Sequence, residues 1–166
     1  LIVSAQTDEG LTLFAVPREA KGVSADPRLL ADSSLASHVR FDGAALDADA
    51  VIGDVGGGQA VLDALLAATR VGASAELLGV GQGAMDMTMT YLKERKQFGR
   101  LIGEFQALQH RAAHLYSELE VARAAVMKAQ QLLDDGQQAA ELYVSVAKAK
   151  AGRAANLAVR EGVQMH

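Results

Sequence analysis

Two hydrophobic periods divide the chain. Up to about residue 52, apolar and polar positions alternate in short runs, the pattern of strands with one covered face. Leu1-Ile2-Val3-Ser4-Ala5 and Leu11-Thr12-Leu13-Phe14-Ala15-Val16 flank Thr7-Asp8-Glu9-Gly10, which reads as a hairpin turn. His38-Val39-Arg40-Phe41 alternates in the same way and runs into a turn at Asp42-Gly43. Three or four such strands are too few for a sheet covered on both faces. The run Gly53-Asp54-Val55-Gly56-Gly57-Gly58 marks the change of regime, and its three consecutive glycines are expected to act as a hinge.

After that run the period lengthens to about 3.6 residues. The spacing predicts a first helix over about 59–98. From Val71 to Met85 its only charge is Glu76, so burial on most sides is expected. A second helix is predicted over about 104–134, with Leu108, Ala112, Leu115, Leu119, Ala122 and Val126 forming one apolar stripe. Asp134-Asp135-Gly136 ends it, the glycine suiting a left-handed cap. A third helix runs from about residue 138 to the end, with Ala140, Tyr143, Ala147, Ala151, Ala154 and Ala158 on one side. Short loops between long helices imply an antiparallel bundle. The expected fold class is therefore α+β: part of a β-sheet domain over 1–55, then a helical bundle domain over 56–166.

Composition narrows the functions. Half the residues are apolar but only 4% are aromatic, so alanine carries much of the core. Both prolines lie within the first 27 residues, which leaves the later helices unbroken. A net charge of −4 with mixed signs gives no broad basic footprint for nucleic acid. Asp63, Arg70 and Glu76 interrupt the first helix, so it is not read as a membrane span. The absence of cysteine excludes disulfides, thiolate catalysis and zinc–thiolate sites. The abrupt start at Leu1-Ile2-Val3 and the end at Gln164-Met165-His166, inside a helical pattern, lead us to expect a piece of a longer protein.

Gly79-Val80-Gly81-Gln82-Gly83-Ala84 has the glycines of a dinucleotide fingerprint, but it lies inside a helix with the wrong spacing. Close helix packing is the better reading. His110 and His114 share a helix face without a third ligand, and read as solvated histidines rather than a metal site. Lys93, Glu94, Arg95 and Lys96 would suit a helix C-terminus, where cations meet the dipole. That explains the charge, but not Gln97-Phe98-Gly99 or the Phe105-Gln106 that follows.

Arg95-Lys96-Gln97-Phe98-Gly99-Arg100, followed by Glu104-Phe105-Gln106-Ala107-Leu108-Gln109, resembles the acyl-CoA dehydrogenase family. Thr69-Arg70, Ala147-Lys148-Ala149-Lys150-Ala151 and Val163-Gln164-Met165-His166 keep family order, the last resembling the start of a Gln-x-x-x-Gly-Gly segment. Gly10-Leu11-Thr12-Leu13-Phe14 and Val39-Arg40-Phe41-Asp42-Gly43 resemble the end of the family's middle β-domain. The resemblance covers essentially the whole chain. It implies an FAD-dependent flavoprotein of fatty acid metabolism that oxidises acyl-CoA thioesters to trans-2-enoyl products. In that chemistry a carboxylate removes a Cα proton, hydride leaves Cβ for the flavin, and the site must stabilise the developing enolate away from water.

By the resemblance, Arg95, Gln97, Phe98, Gln106 and Gln164 contact an FAD bound mainly by a neighbouring subunit, Arg95 at the pyrophosphate and Gln106 nearer the adenosine. Arg70, Asp86 and Tyr91 fall on the substrate side. Thr69 stands where some branches carry the catalytic glutamate, and threonine cannot serve as that base. No base is named within the chain, and the chain alone is expected not to turn over substrate. The resemblance further implies a homodimer or homotetramer, an electron-transferring flavoprotein as acceptor, and a cytoplasmic, mitochondrial-matrix or peroxisomal setting. Three alternatives stand beside it. These are a non-catalytic subunit of a mixed complex, an oxidase or flavin monooxygenase on the same scaffold, and a purely structural bundle.

Overall fold

A computed structural model describes residues 1–166. Their contacts gather into two compact units, Leu1–Ala64 and Leu65–His166.

In the first unit, β1 (Ile2–Thr7) and β2 (Gly10–Ala15) form the expected hairpin, in register from Thr7 opposite Gly10 to Ile2 opposite Ala15. A further pair of strands, β3 (Val23–Leu29) and β4 (Leu35–Phe41), forms a separate two-stranded ribbon. The alternation at His38–Phe41 revealed β4. Its partner β3 was missed because Pro27 interrupts it, and here the proline sits opposite Ser37 in the ribbon. After a 3-10 turn at Ala48–Ala50, β5 (Val51–Ile52) pairs with the other edge of β2. The strands thus form two small sheets rather than one.

The glycine run after β5 is a packed corner, not the expected hinge. Gly56 has φ +76°, and a Cβ there would sit 2.3 Å from the Glu9 carbonyl oxygen. Its N–H donates to the buried Thr12 hydroxyl at 2.9 Å. That bond and the backbone contact fix the corner against the β1–β2 hairpin.

Three long helices follow: α1 (Gly58–Glu94), α2 (Gln106–Asp134) and α3 (Ala140–Met165). On α1 the buried positions after Gly58 are Ala67, Val71, Ser74, Leu78, Gly81, Met85, Thr88 and Leu92. Spacings of four and three repeat along this seam, as in a helix that meets its neighbours along one stripe. Within this chain α1 is buried along that stripe alone, and Val80 on its outer side is 52% exposed. The chain offers α1 only two helical neighbours, so one stripe suffices. Ser74 and Thr88 occur in this dry seam because their hydroxyls donate back to the carbonyls of Arg70 and Ala84 at 2.6 and 2.8 Å.

Between α2 and α3 the contact is closest, because Ala122 and Ala129 face Ala147, Ala151, Ala154 and Ala158 in the shared core. The α2 stripe is buried as expected from Ala112 to Val126, with Leu108 half-buried at its start. On α3, Val144 takes the inward place assigned to Tyr143, which is 39% exposed. The residues are 100° apart around a helix, and the phenol stays where its hydroxyl reaches water. Gly136 adopts φ +61°, and its N–H and that of Gln137 donate to Leu133 and Leu132, closing α2 as its glycine foretold.

Candidate functional site

The first helix stops earlier than its pattern predicts, and the reason shapes the site. After Glu94 the chain turns into a miniature hairpin of β6 (Lys96–Gln97) and β7 (Arg100–Leu101). Its two-residue loop, Phe98-Gly99, has φ +54° and +79°. Both residues are left-handed, as a type I′ turn requires. Glycine adopts this freely, whereas Phe98 does so at a steric cost, with 90% of its surface exposed. Strain at so exposed an aromatic contributes nothing to the chain's own core.

The hairpin holds Arg95 and Gln97 beside each other and leads towards Gln106. The Ile102 N–H donates to the Arg95 carbonyl at 2.9 Å, so the strand returns beside its origin. One 3-10 turn, Ile102–Glu104, then leads to Phe105 and the start of α2 at Gln106. Phe105 caps that helix start with no side-chain hydrogen bond, and no acidic residue stands in its first turn. The local field there favours an anion. The side chains of Arg95, Gln97 and Gln106 are exposed and make no hydrogen bond or ion pair within the chain. Arg100, not among the residues singled out, lies over the Phe105 ring at 4.0 Å, and Phe98 meets Phe105 edge-on at 6.2 Å. The basic-aromatic alternation of Phe98, Arg100 and Phe105 was the signal for this stack.

Gln164 lies in the last turn of α3, exposed and also free of hydrogen bonds. Two residues on, the His166 ring stacks on Tyr91 of α1 with centroids 4.5 Å apart. The other substrate-side residues have partners inside the chain. Arg70 pairs with Glu141 at 2.6 Å. Asp86 accepts from Gln82 at 2.8 Å, and Gln82 accepts from Arg123 at 2.7 Å. Thr69 donates to the Leu65 carbonyl at 2.8 Å.

The glycine motif of α1 is resolved by contact: a Cβ at Gly81 would meet Leu119 Cδ2 at 2.7 Å, in the helix seam. His110 and His114 are exposed. His114 borders a polar groove along α2 and α3 with Glu118, Lys148, Arg153 and Arg160. A hydrogen bond from Lys150, then its charge, holds the Glu118 carboxyl below its usual range.

Comparison with known proteins is decisive for the family. The sequence model of the acyl-CoA dehydrogenase C-terminal domain matches residues 56–166. The chain belongs to the acyl-CoA dehydrogenase family. Against the mitochondrial short/branched chain specific acyl-CoA dehydrogenase of Bos taurus it is 37% identical over 131 residues, covering 77% of this chain and 30% of that protein. The subunit CarC of the caffeyl-CoA reductase-Etf complex of Acetobacterium woodii is 30% identical over 99% of this chain and 45% of its own length. The solved glutaryl-coenzyme A dehydrogenase glutaryl-CoA complex superposes with a TM-score of 0.92 at 30% identity, over 99% of this chain and 44% of that one. This acyl-CoA dehydrogenase chain thus spans less than half the length of these relatives. No helix in it is long and apolar enough to cross a membrane.

Proposed function

We propose that the chain is the cofactor-facing helical part of an FAD-dependent acyl-CoA dehydrogenase that forms the trans-2-enoyl thioester. One observation carries this reading: Arg95, Gln97 and Phe98 lie on one exposed hairpin that leads through a single 3-10 turn to Gln106 at the start of α2, and none of the three polar side chains has a partner within the chain. The donor set fits a dinucleotide. A guanidinium fork matches paired phosphate oxygens, amides match ribose and base edges, and exposed rings cover apolar surface. Arg95 would hold the diphosphate, Gln106 the adenosine side, and Gln97, Phe98 and Gln164 would border the same ligand. The bound flavin supplies a hydride acceptor for the substrate's Cβ. Because these groups point away from their own core, the cofactor is held largely by another protomer, in a homodimer or homotetramer.

Arg70 and Asp86 remain the substrate-side residues of the proposal, each poised in an exposed polar pair that an acyl-CoA could displace. Tyr91 has its ring face taken up by His166, which leaves the hydroxyl for a substrate. An electron-transferring flavoprotein as acceptor is supported by the caffeyl-CoA reductase subunit, whose name pairs it with such a protein.

The deciding experiment is FAD dissociation from the flavin-loaded protein, followed by flavin fluorescence. Arg95→Ala is expected to weaken retention about ten- to hundredfold, the range for a charged hydrogen bond. Gln106→Ala should weaken it less. Lys128→Ala, about 33 Å along α2 from Gln106, should leave it unchanged. Equal retention in all three variants would refute the assignment.

A further inference from the structure

The contact between Tyr91 and His166 joins two segments that sequence separates by 75 positions. Tyr91 sits in the last turn of α1, and its carbonyl accepts the Arg95 N–H at 2.9 Å. The turn carrying Arg95 is therefore built directly on Tyr91. His166 follows Met165 at the exposed end of α3: its backbone N–H donates to the Gly162 carbonyl at 3.2 Å, and its ring Nδ1 contacts the same oxygen at 2.7 Å. A carbonyl only accepts, so Nδ1 bears the hydrogen and the imidazole is held in one orientation. Tyr91 then lies against it with ring planes 19° apart.

The surroundings bring α1 and α3 together at this contact. Met165 is 3% exposed and anchors the turn in the core. Gly162 lies against Thr88 of α1, where an added Cβ would come within 3.2 Å of the hydroxyl oxygen. Thus α3 approaches α1 closely at Gly162, and the stacked rings complete the contact one turn further on. Gln164 lies between Gly162 and His166, exposed and without a partner. Its backbone is held on both sides while its amide is left free.

We propose that Tyr91 and His166 are positioning residues: their stack sets the distance between the Arg95 turn and the Gln164 turn, so that both meet one dinucleotide. This rests on the cofactor reading above. Neither ring needs to touch the cofactor, since a pre-set spacing spares the ordering that ligand binding would otherwise require.

Two measurements test it. In NMR spectra of the chain, the His166 ring protons should be shifted upfield by the Tyr91 ring. The shift should persist in Tyr91→Phe and disappear in Tyr91→Leu. In the flavin-loaded protein, Tyr91→Leu and His166→Ala should release FAD about three- to tenfold more readily, the scale of one aromatic pair. Tyr91→Phe should retain FAD as the parent does, because the stack needs the ring and not the hydroxyl. Unshifted His166 protons in the parent would refute the stack. Normal FAD retention in Tyr91→Leu, beside a clear loss in Arg95→Ala, would overturn the positioning role and leave the cofactor reading intact. Normal retention in Arg95→Ala would overturn both.

Discussion

A methyl group at Gly81 would meet Leu119 Cδ2 at 2.7 Å, with Ala155 and Ala158 close behind. Leu119 is 2% exposed, so its methyl has little room to retreat. Gly83, two positions on, has nothing within 4 Å of an added Cβ. Two forces therefore separate at neighbouring glycines. Alanine gains helix propensity at both, but meets a filled core only at Gly81. Gly83→Ala should stabilise the chain by about 0.5–1 kcal/mol. Gly81→Val should destabilise it by about 1–3 kcal/mol. Thermal melts would check the pair, and equal effects at both positions would contradict the packing role. The glycine motif was legible as packing because it lay inside a helical period. Which glycine mattered was not, since the sequence does not say which side of α1 faces Leu119.

Along the elements, alanine sets the spacing of α2 and α3. Ala151 is fully buried between them, whereas Ala149 on the same helix is exposed. Ala151→Leu should cost about 1–3 kcal/mol, because the helices must part or distort to admit it. Ala149→Leu should stay within about 0.5 kcal/mol, the usual range for a surface change. The same helix pair is joined by Lys150 and Glu118 at 3.1 Å. Lys150 lowers the Glu118 pKa from its ordinary 4.5. A lowered carboxyl pKa contributes stability that is present above pH 4.5 and lost as pH falls through the folded-state value. Lys150→Met should therefore return the Glu118 titration midpoint toward 4.5 in an NMR titration, and a midpoint unmoved by the change would exclude the pair as the cause. The helices were legible because their apolar residues repeat over many turns. The β6–β7 hairpin was not, because two-residue strands have no period and Lys96-Gln97 carries no apolar signal. The candidate residues of the site came from the family-like order of Arg95 to Gln106, while the shape of the hairpin between them came from the left-handed turn at Phe98 and Gly99.

At the scale of the molecule, the distribution of carboxylates bears on what the chain can do alone. Removing a proton beside a thioester needs a base of raised pKa, in a site closed to water. No Asp or Glu here is buried. Three glutamates are half-buried, and each faces a cation: Glu118 with Lys150, Glu120 with Arg123, Glu161 with Arg111. Lys150 holds the Glu118 carboxyl below its ordinary pKa, the opposite of the shift a base requires. Thr69 adds no base, since its hydroxyl is spent on the Leu65 carbonyl. The exposed turn at Arg95 likewise offers donors for a cofactor but no wall to exclude water. The 166-residue chain, supplied with FAD, an acyl-CoA and an artificial electron acceptor, should therefore show no dye reduction above the protein-free rate. Clear turnover would mean that one of these paired or solvated carboxylates acts as the base. Replacing the chain's Asp and Glu residues in turn by Asn and Gln would then identify it.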